Sequence, residues 1–385
     1  ASINYPVRGS VNWKIVGTNV ASDALSHICS SGVTGGALII VGEDYGCDST
    51  LVQEKALPFA FKSGMAVIDP RGDLQLISKL IQKGFELSEH SNMPCMYILS
   101  IRNAHIRNKI DCFDNIQPEI NLNNPTSELI NDIEKIPIPP HTQEQTVRKY
   151  HERMPAAVEF ISKEKLNEFF PGKLDKVGII THGSVFNTLL RCLNILGEAD
   201  KSGKSNIPIY NLNVTYPLVP DEINDFVRDK EAVLIFEEGM PNLIEEQIRS
   251  IVQRAKITTE ITGKELLPLE GEYTPERVLK GLSEFLIQHS DSEQKTKYIS
   301  DKIEGFEKHT QKAVGYLNDP VEKRLPVFCT GCPERQIFTE IKNLEEKYVK
   351  SYYYTDICCY KMSALPHFDM INKLKLMCIW LYYAV

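Results

Sequence analysis

The sequence predicts an α/β fold whose parallel sheets are covered by helices on both faces. Three apolar runs, at residues 37–44, 65–70 and 95–102, each end in polar residues, which is typical of fully buried strands. Between the last two runs, LQLISKLIQKGFELSEH places its apolar residues at helical spacing. Strands that alternate with helices favour a parallel sheet, because each helix carries the chain back across one face of the sheet.

A second alternation of the same kind begins at residue 177. The strand predicted at 177–181 is followed by a turn and an amphipathic helix. Strand–helix pairs follow in IPIYNLNVTYPLVPDEINDFV and in EAVLIFEEGMPNLIEEQIRSIV. In the helix predicted within TPERVLKGLSEFL, Thr274 is the N-cap and Pro275 takes the first helical position. We therefore expect a second open parallel sheet.

The segments between and around these regions have a different character. Residues 111–150 are rich in proline and asparagine and are predicted to connect the two regions, and 290–325 is a charged helical link. The polar, glycine-containing segments 16–25 and 42–54 are predicted to be loops at strand ends, where ligands of parallel sheets bind. Their candidate ligand-binding side chains, each of which also fits a turn or capping role, are Asn19, Asp44, Asp48, Ser49 and Gln53.

Charge and hydropathy exclude several classes of protein. The net charge of −8 argues against non-specific binding to nucleic acid, which requires a basic surface. The longest apolar run, at 376–385, is half of the roughly 20 residues that span a bilayer. With no basic and apolar leader at residue 1 and no secreted disulfide pattern, we expect a reducing, cytoplasmic compartment. The start at alanine and the apolar end predict an internal fragment.

The last part of the chain carries a CxxC motif. Cys329 and Cys332 lie three positions apart, Gly331 lets the loop turn tightly, and Pro333 keeps the loop from continuing as a helix. A third cysteine from Cys358 or Cys359 completes a pattern that fits zinc or a four-iron cluster equally well. A redox pair and ordinary thiols stay open as alternatives.

Two other patterns are better explained by structural roles than by metal binding. Gly72 and Asp73, followed by Asn103, resemble in spacing a magnesium loop of thiamine enzymes. However, Asp73 directly precedes an amphipathic helix, and aspartate is a common helix-start residue. The histidines that show no ligand spacing, and are predicted to be isolated, are His27, His105, His182 and His367.

Seven segments, taken in order, resemble one enzyme family. They are VGTNVASD, TGGALIIVGEDYGCDSTLVQE, FELSEHSNMPCMYILSIR, LIFEEGMPNLIEEQI, GKELLPLEGEYTPE, FCTGCPERQIF and DICCYKMSALP. Together they resemble the large, alpha-type subunit of indolepyruvate:ferredoxin oxidoreductase, one of the thiamine-diphosphate-dependent 2-oxoacid:ferredoxin oxidoreductases. The resemblance covers nearly the whole chain.

The resemblance implies sheets like those of thiamine-diphosphate enzymes, in an α/β chain with a transketolase-C-terminal-like middle domain. The implied boundaries are 1–115 for a partial pyrimidine-binding domain, 116–170 for a linker and helix, 171–290 for the middle domain, 291–325 for a helical linker and 326–385 for the truncated start of a diphosphate-binding domain. Such a fragment would begin after the glutamate that activates thiamine and stop before the magnesium loop. We therefore expect it to be inactive alone.

The candidate site residues follow from these loops and from the resemblance. For cofactor binding they are Asn19, Asp48, Ser49, Gln53, Gly331 and Asp356, and for an iron–sulfur cluster they are Cys329, Cys332 and Cys359. Two positions depart from the family pattern. Glu334 stands where the family has histidine, and Cys358 stands where it has glycine, so Cys359 matches the family cysteine.

The implied reaction is the oxidative decarboxylation of a 2-oxo acid, such as indolepyruvate or another aryl pyruvate. Thiamine diphosphate, magnesium and iron–sulfur clusters would serve the full-length protein. Coenzyme A, ferredoxin and a gamma/beta-type subunit or fused domain would be its partners, without nucleic acid or membrane. Two other classes stay open: a thiamine-dependent decarboxylase or synthase without clusters, and a zinc-stabilised, non-catalytic α/β scaffold.

Overall fold

The computed structural model contains two compact units, Ala1–Lys308 and His309–Val385. The residues that it describes are 7–46, 53–112, 114, 133–290, 292–316, 326–345, 347, 353–355, 358–370 and 374–376. Strands and helices alternate through most of this part of the chain, and the predicted α/β class is confirmed. None of the helices within these residues is both long and apolar enough to cross a membrane.

The strands are β1 (Gly9–Lys14), β2 (Ala37–Glu43), β3 (Ala66–Ile68), β4 (Cys95–Ser100), β5 (Glu168–Phe170), β6 (Val177–His182), β7 (Ile209–Leu212), β8 (Val214–Tyr216), β9 (Ala232–Phe236), β10 (Glu260–Thr262), β11 (Tyr353–Thr355) and β12 (Leu374–Leu376). They form two five-stranded sheets in the first unit and one pair in the second. The first sheet has the order β1-β2-β4-β3-β8 and the second has the order β10-β9-β6-β7-β5. All neighbours are parallel except β8 on β3 and β5 on β7.

The α-helices are α1 (Ile15–Val20), α2 (Ser22–Ser31), α3 (Leu57–Ser63), α4 (Leu74–Ser91), α5 (Ile101–Ala104), α6 (His141–Arg148), α7 (Met154–Lys163), α8 (Val185–Ile195), α9 (Pro220–Val227), α10 (Leu243–Arg254), α11 (Pro275–Gln288), α12 (Glu293–Gly315) and α13 (Pro333–Glu345). Short 3-10 turns cover Ile133–Lys135 and Cys358–Ala364, and a π-helical turn covers Lys149–Arg153. Thr274 precedes α11 at the N-cap, as predicted.

Two expectations for the beginning of the chain are wrong. The segment 16–25, predicted to be a loop, forms most of α1 and the first four residues of α2, and β1 before it was not predicted as a strand. The strand was missed because its residues are almost all exposed, so that GSVNWK carries no continuous apolar pattern.

The two sheets of the first unit share one hydrophobic core. Ile39 and Val41 of β2 and Val233 and Ile235 of β9 belong to the same cluster, together with buried residues of α2, α3, α9 and α10. Leu234, on the opposite face of β9, packs instead in a cluster with α8 and α11. Because side chains alternate between the faces of a strand, a strand with helices on both faces must be apolar throughout. This explains the unbroken run AVLIF.

The chain crosses from the second sheet to the first at a single residue. β7 ends at Leu212 in the second sheet, and β8 begins at Val214 in the first. The sequence predicted one strand in IPIYNLNVTY, and this is wrong, because the segment divides between two sheets. Asn213, at the crossing, is completely buried.

The Asn213 side chain is fully hydrogen-bonded at the crossing. Its Nδ2 donates to the Leu166 carbonyl and to the Glu168 carboxylate, both at 2.9 Å. Its Oδ1 accepts from the Arg71 backbone N–H at 3.1 Å and from the Asn211 side chain at 3.0 Å. One amide side chain therefore holds together the strand ends and the loop after β3.

The substitution Asn213→Ala should lower the free energy of unfolding by about 3 kcal/mol, because it leaves several buried polar groups without a partner. Asn187→Ala is the matched control, since Asn187 is exposed and donates one hydrogen bond, to the Gly72 carbonyl at 3.0 Å. Its effect should stay within about 1 kcal/mol. Urea denaturation measures both variants, and equal effects would contradict this account.

Candidate functional site

The carboxyl ends of the parallel strands in both sheets lead into charged residues. In the first sheet, β2 ends at Glu43, and Asp69 directly follows β3. In the second sheet, β6 ends at His182, and Glu237 directly follows β9. Ligands of open parallel sheets bind outside the carboxyl ends of the strands. These residues are therefore the candidate functional site of the first unit.

An aspartate–histidine hydrogen bond joins the two sheets. His182 Nδ1 lies 2.8 Å from Asp69 Oδ2, and the two side chains are only 13% and 9% exposed. Gly183 beside them has a φ of +50°, and a Cβ there would lie 2.1 Å from Asp69 Oδ2. The close approach therefore requires glycine. The sequence predicted His182 to be isolated, and this is wrong, because its partner comes from a distant strand end.

The Glu43 carboxyl lies among the charges of this site. Burial raises its pKa to about 7, and the charge of Asp69 adds to the shift. The Ala56 N–H donates to Glu43 Oε2 at 2.6 Å, which opposes the shift, as do the charges of Lys55 and His182. At neutral pH, Glu43 is therefore divided between its protonated and ionised forms.

Lys55 connects the first sheet to the loop after β9. Its Nζ donates to Glu237 Oε1 at 3.1 Å, to the Glu238 carbonyl at 2.9 Å and to the Pro241 carbonyl at 3.2 Å. The side chains of Lys55 and Glu237 are 6% and 0% exposed. Three acceptors satisfy all three donors of the ammonium group, as a buried charge requires.

A second buried pair lies beside the first. Arg102, in α5 after β4, donates to both carboxylate oxygens of Glu238, at 2.9 and 2.6 Å. The Tyr273 N–H also donates to Glu238, at 2.6 Å. Lys264 donates to the Glu237 carbonyl at 2.6 Å, and burial lowers its pKa to about 8. The loops that follow β9 and β10 thus meet the carboxyl end of the first sheet through charged groups.

Sequence reasoning singled out none of Glu43, Lys55, Arg102 or Glu237. The sequence could have indicated them only through their position. Each lies at or shortly after the end of a buried strand, or directly after the polar segment that follows such a strand. What the sequence did not reveal is which charge of one sheet meets which charge of the other.

The residues predicted to bind a cofactor are only partly described. Asn19 is exposed on α1, which starts directly at the carboxyl end of β1. Gln53 Oε1 accepts the Gly46 N–H at 2.6 Å, and Asp44 forms an ion pair with Lys14 at 3.0 Å. Asp48, Ser49 and Asp356 lie outside the described residues. Cofactor binding by these side chains stays a prediction.

Asp73 and Asn103, whose spacing resembles a magnesium loop, have structural roles. Asp73 is the N-cap of α4, where its Oδ1 accepts the Leu76 N–H at 3.1 Å. It also pairs with Arg71 at 3.1 Å, and Asn103 donates to the Pro70 carbonyl at 2.8 Å. The helix-start interpretation of Asp73 is confirmed.

The CxxC motif of the second unit forms a tight turn. The Cys332 N–H donates to the Cys329 carbonyl at 3.1 Å, and Gly331 has a φ of +75°. Cys329 is exposed, whereas Cys332 is half-buried against the aromatic cluster around Phe338. α13 begins at Pro333 directly after the motif. The loop therefore holds two thiols on one turn, as the spacing predicts.

The third predicted ligand, Cys359, is exposed in the 3-10 turn Cys358–Ala364. Within the described residues, no group of three or more His, Cys, Asp and Glu side chains is arranged to hold a metal ion. The described part of this unit therefore supplies a cysteine pair but not a complete cluster site. The shared cluster of Cys329, Cys332 and Cys359 stays a prediction.

A cavity of about 420 Å³ lies away from the carboxyl ends of the strands of the first sheet, beside the C-terminal ends of α2 and α4. Arg153, which lines it, donates to the carbonyls of Ser30 and Ser31 at 2.9 and 3.1 Å. Cations at helix C-termini neutralise the negative end of the helix dipole. Arg153 has this structural role, Lys135 donates to the Thr34 hydroxyl and Arg148 pairs with Glu134.

The fold of the chain is similar to that of a solved enzyme. The chain resembles a solved 2-oxoglutarate:ferredoxin oxidoreductase from Magnetococcus marinus, described with 2-oxoglutarate, coenzyme A and succinyl-CoA bound, with a TM-score of 0.51 and 16% identity. The match covers 72% of this chain and 52% of the other. Over the matched part, the chain therefore shares the fold of this oxidoreductase, and the predicted α/β class is confirmed.

Comparison with known sequences gives more specific matches than comparison of the fold. Residues 168–310 match the family model of the indolepyruvate oxidoreductase domain. Indolepyruvate oxidoreductase subunit IorA of Methanothermobacter thermautotrophicus is 23% identical over 96% of this chain, and that of Thermococcus kodakarensis is 27% identical over 94%. The chain spans 55% and 52% of these relatives. The predicted resemblance to the alpha-type subunit of indolepyruvate:ferredoxin oxidoreductase is confirmed.

The raised pKa of Glu43 predicts a pH-dependent contribution to stability. A carboxyl whose pKa is higher in the folded than in the unfolded chain stabilises the fold fully below its unfolded pKa, and this contribution is lost as the pH rises through the folded value of about 7. Relative to wild type, Glu43→Gln should therefore gain roughly 2 kcal/mol of unfolding free energy between pH 5 and pH 8. Denaturant titrations at both pH values test this, and a constant difference would refute it.

Proposed function

We propose that this chain is part of an oxidoreductase that oxidatively decarboxylates 2-oxo acids, with aryl pyruvates such as indolepyruvate as substrates. The observation that carries the proposal is the similarity to IorA subunits over 94–96% of the chain. A match of this extent includes both sheets and the cysteine-rich unit, so it does not rest on one motif. Coenzyme A would accept the acyl group, and ferredoxin would accept two electrons.

Thiamine diphosphate is the cofactor in this proposal, and the chemistry of the predicted binding side chains supports it. The predicted side chains include amides and a hydroxyl, which can donate to ring nitrogens and phosphate oxygens, and a carboxylate, which can accept from an amino group or bind magnesium. Asn19 is exposed on α1, and a hydrogen bond between Gly46 and Gln53 closes the base of the segment that carries Asp48 and Ser49. When bound, thiamine diphosphate supplies the carbanion chemistry that cleaves the bond to the 2-oxo acid carboxylate.

The remaining parts of the proposal concern the other cofactors and partners. Magnesium would bind the diphosphate, and iron–sulfur clusters would carry electrons, with Cys329, Cys332 and Cys359 as ligands of one cluster. A gamma/beta-type subunit or a fused domain would complete the enzyme in the cytoplasm. The cysteine pair of the CxxC motif favours this enzyme over a thiamine-dependent decarboxylase without clusters, because that reaction transfers no electrons.

An activity assay tests the function. The full-length protein that contains this chain, purified through a tag with its associated subunits, should reduce a low-potential viologen dye when given indolepyruvate, coenzyme A and thiamine diphosphate. Omission of either the 2-oxo acid or coenzyme A should lower the rate at least about tenfold, because neither decarboxylation nor acyl release can then be completed. 2-Oxoglutarate is the comparison substrate. No dye reduction with any 2-oxo acid, together with no binding of thiamine diphosphate, would overturn the proposal.

The cluster assignment is tested by metal content. Cys329→Ser and Cys332→Ser should each lower bound iron, because a thiolate ligand is lost, whereas Cys358→Ser should leave it unchanged. Iron and zinc are measured together on anaerobically purified protein. Zinc in place of iron would favour the zinc-stabilised scaffold, and unchanged iron in all three variants would remove these cysteines from the cluster.

A further inference from the structure

We propose that the cavity beside the C-terminal ends of α2 and α4 binds the phosphate group of a small molecule, with Arg148 and Arg153 as its principal partners. The cavity has a volume of about 420 Å³, within the range of sites that hold small ligands. Every residue that lines it belongs to the part of the chain that the structure describes. The site is separate from the carboxyl ends of the strands, and it does not rest on the proposed function.

The groups around the cavity have an excess of positive charge. Lys135, Arg148 and Arg153 line it, against one carboxylate, Glu152. The C-terminal ends of α2 and α4 each add about half a negative charge through the helix dipole, which leaves an excess of about one positive charge. An anion that enters the cavity compensates this excess, so the cavity favours a negatively charged ligand.

Arg153 carries a charge that the described part of the chain compensates poorly. Its guanidinium lies directly on Gly32, where a Cβ would be 2.6 Å from Arg153 Cζ. Its hydrogen bonds go to carbonyls at the end of α2, and no carboxylate among the described residues forms an ion pair with it. Burial lowers its pKa, and the positive charge of Arg148 lowers it further. Carbonyls satisfy the N–H donors without supplying a full negative charge.

A rare helical turn brings the two arginines to the same cavity. Arg148 ends α6, and Arg153 lies five positions later, at the end of the π-helical turn Lys149–Arg153. Five residues of an α-helix would place them about 140° apart around the axis, whereas hydrogen bonds in a π-helix join residues five apart. Pro155 follows in the first turn of α7 and lacks an N–H, which explains the change of pitch. π-Helical turns are frequent at functional sites.

Arg148 can exchange its present partner for a ligand. It pairs with Glu134 at 3.0 Å, but the two side chains are 41% and 52% exposed, so solvent weakens the pair. Guanidinium groups bind phosphate oxygens through parallel hydrogen bonds. Two arginines together favour phosphate over an anion of single charge, because a dianion compensates both of them. The volume leaves room beside the phosphate for the organic part of an ester.

Calorimetric titration with glycerol 3-phosphate and with inorganic phosphate tests the site in the full-length protein that contains this chain. Thiamine diphosphate and magnesium are present in excess, so that the proposed cofactor site is occupied. The wild type should bind the ligand, and Arg148→Met should raise the dissociation constant at least about tenfold, because one of two paired cations is lost. Arg277→Met is the matched control, since Arg277 is 40% exposed and has the carboxylate partner Glu270 at 3.9 Å. Its affinity should equal that of wild type.

Two further variants separate binding from stability. Glu134→Gln removes the carboxylate that competes for Arg148, so the affinity should rise about threefold, a gain that a purely structural role of these residues does not produce. Arg153→Met should weaken binding at least about tenfold, because it removes the less compensated cation. Urea denaturation establishes that this variant is folded, and Arg148→Met decides the matter if it is not.

The outcomes distinguish the source of the phosphate as well as the site. Weaker binding in Arg148→Met and tighter binding in Glu134→Gln, with an unchanged Arg277→Met control, support the proposal. Tighter binding of glycerol 3-phosphate than of inorganic phosphate then identifies an ester as the ligand, and the reverse order identifies the free ion. No binding of either compound to wild type at about 10 mM, or equal affinity of wild type and Arg148→Met, overturns the proposal. The proposed function stands or falls separately, by its own assay.

Discussion

The complete burial of the Glu237 carboxylate is the constraint on which the arrangement of the first unit depends. A charge withdrawn from water costs several kcal/mol unless a partner and hydrogen bonds compensate it. Its partner is Lys55, which lies in the chain between two strands of the other sheet. The N-terminal turn of α10 supplies a further hydrogen bond to Glu237. The shared apolar core attracts the sheets without fixing their orientation, since burial of apolar surface is non-directional. The buried ion pair has a direction, and it can hold the two carboxyl edges in one orientation.

The same orientation explains why so many titratable groups gather at this place. Asp69 meets His182, and Arg102 meets Glu238, because the ends of parallel strands from two sheets come together. Among these charges the Glu43 carboxyl has little water to solvate it, which is the main reason for its raised pKa. Fixed charges and dipoles of this kind are suited to binding a charged ligand, because they need not reorganise on binding.

The sequence predicted the features that depend on local pattern. Buried parallel strands are visible as unbroken apolar runs, and the cap of α4 at Asp73 is visible as an aspartate before a helical repeat. The CxxC turn follows from two cysteines around Gly331. The sequence could not predict β1, whose exposed residues show no apolar pattern. Nor could it predict the partner of His182, which lies 113 residues away in Asp69. Long-range polar pairs leave no period in the sequence, so the charged part of the site was accessible only from the structure.

The single-residue passage of the chain between sheets at Asn213 has a consequence for how the first unit opens. β8 lies in the first sheet and β7 in the second, and only Asn213 connects them. Fluctuations that separate β8 from β3 must therefore pull on β7, so amide hydrogens in both strands should exchange with solvent in one shared opening event. A chain divided at residue 170, the boundary implied by the family resemblance, would leave the first sheet without its fifth strand and expose the backbone of β3 as a new edge. We therefore expect the two sheets of the first unit to open cooperatively, because β8 directly follows a strand of the second sheet and completes the first.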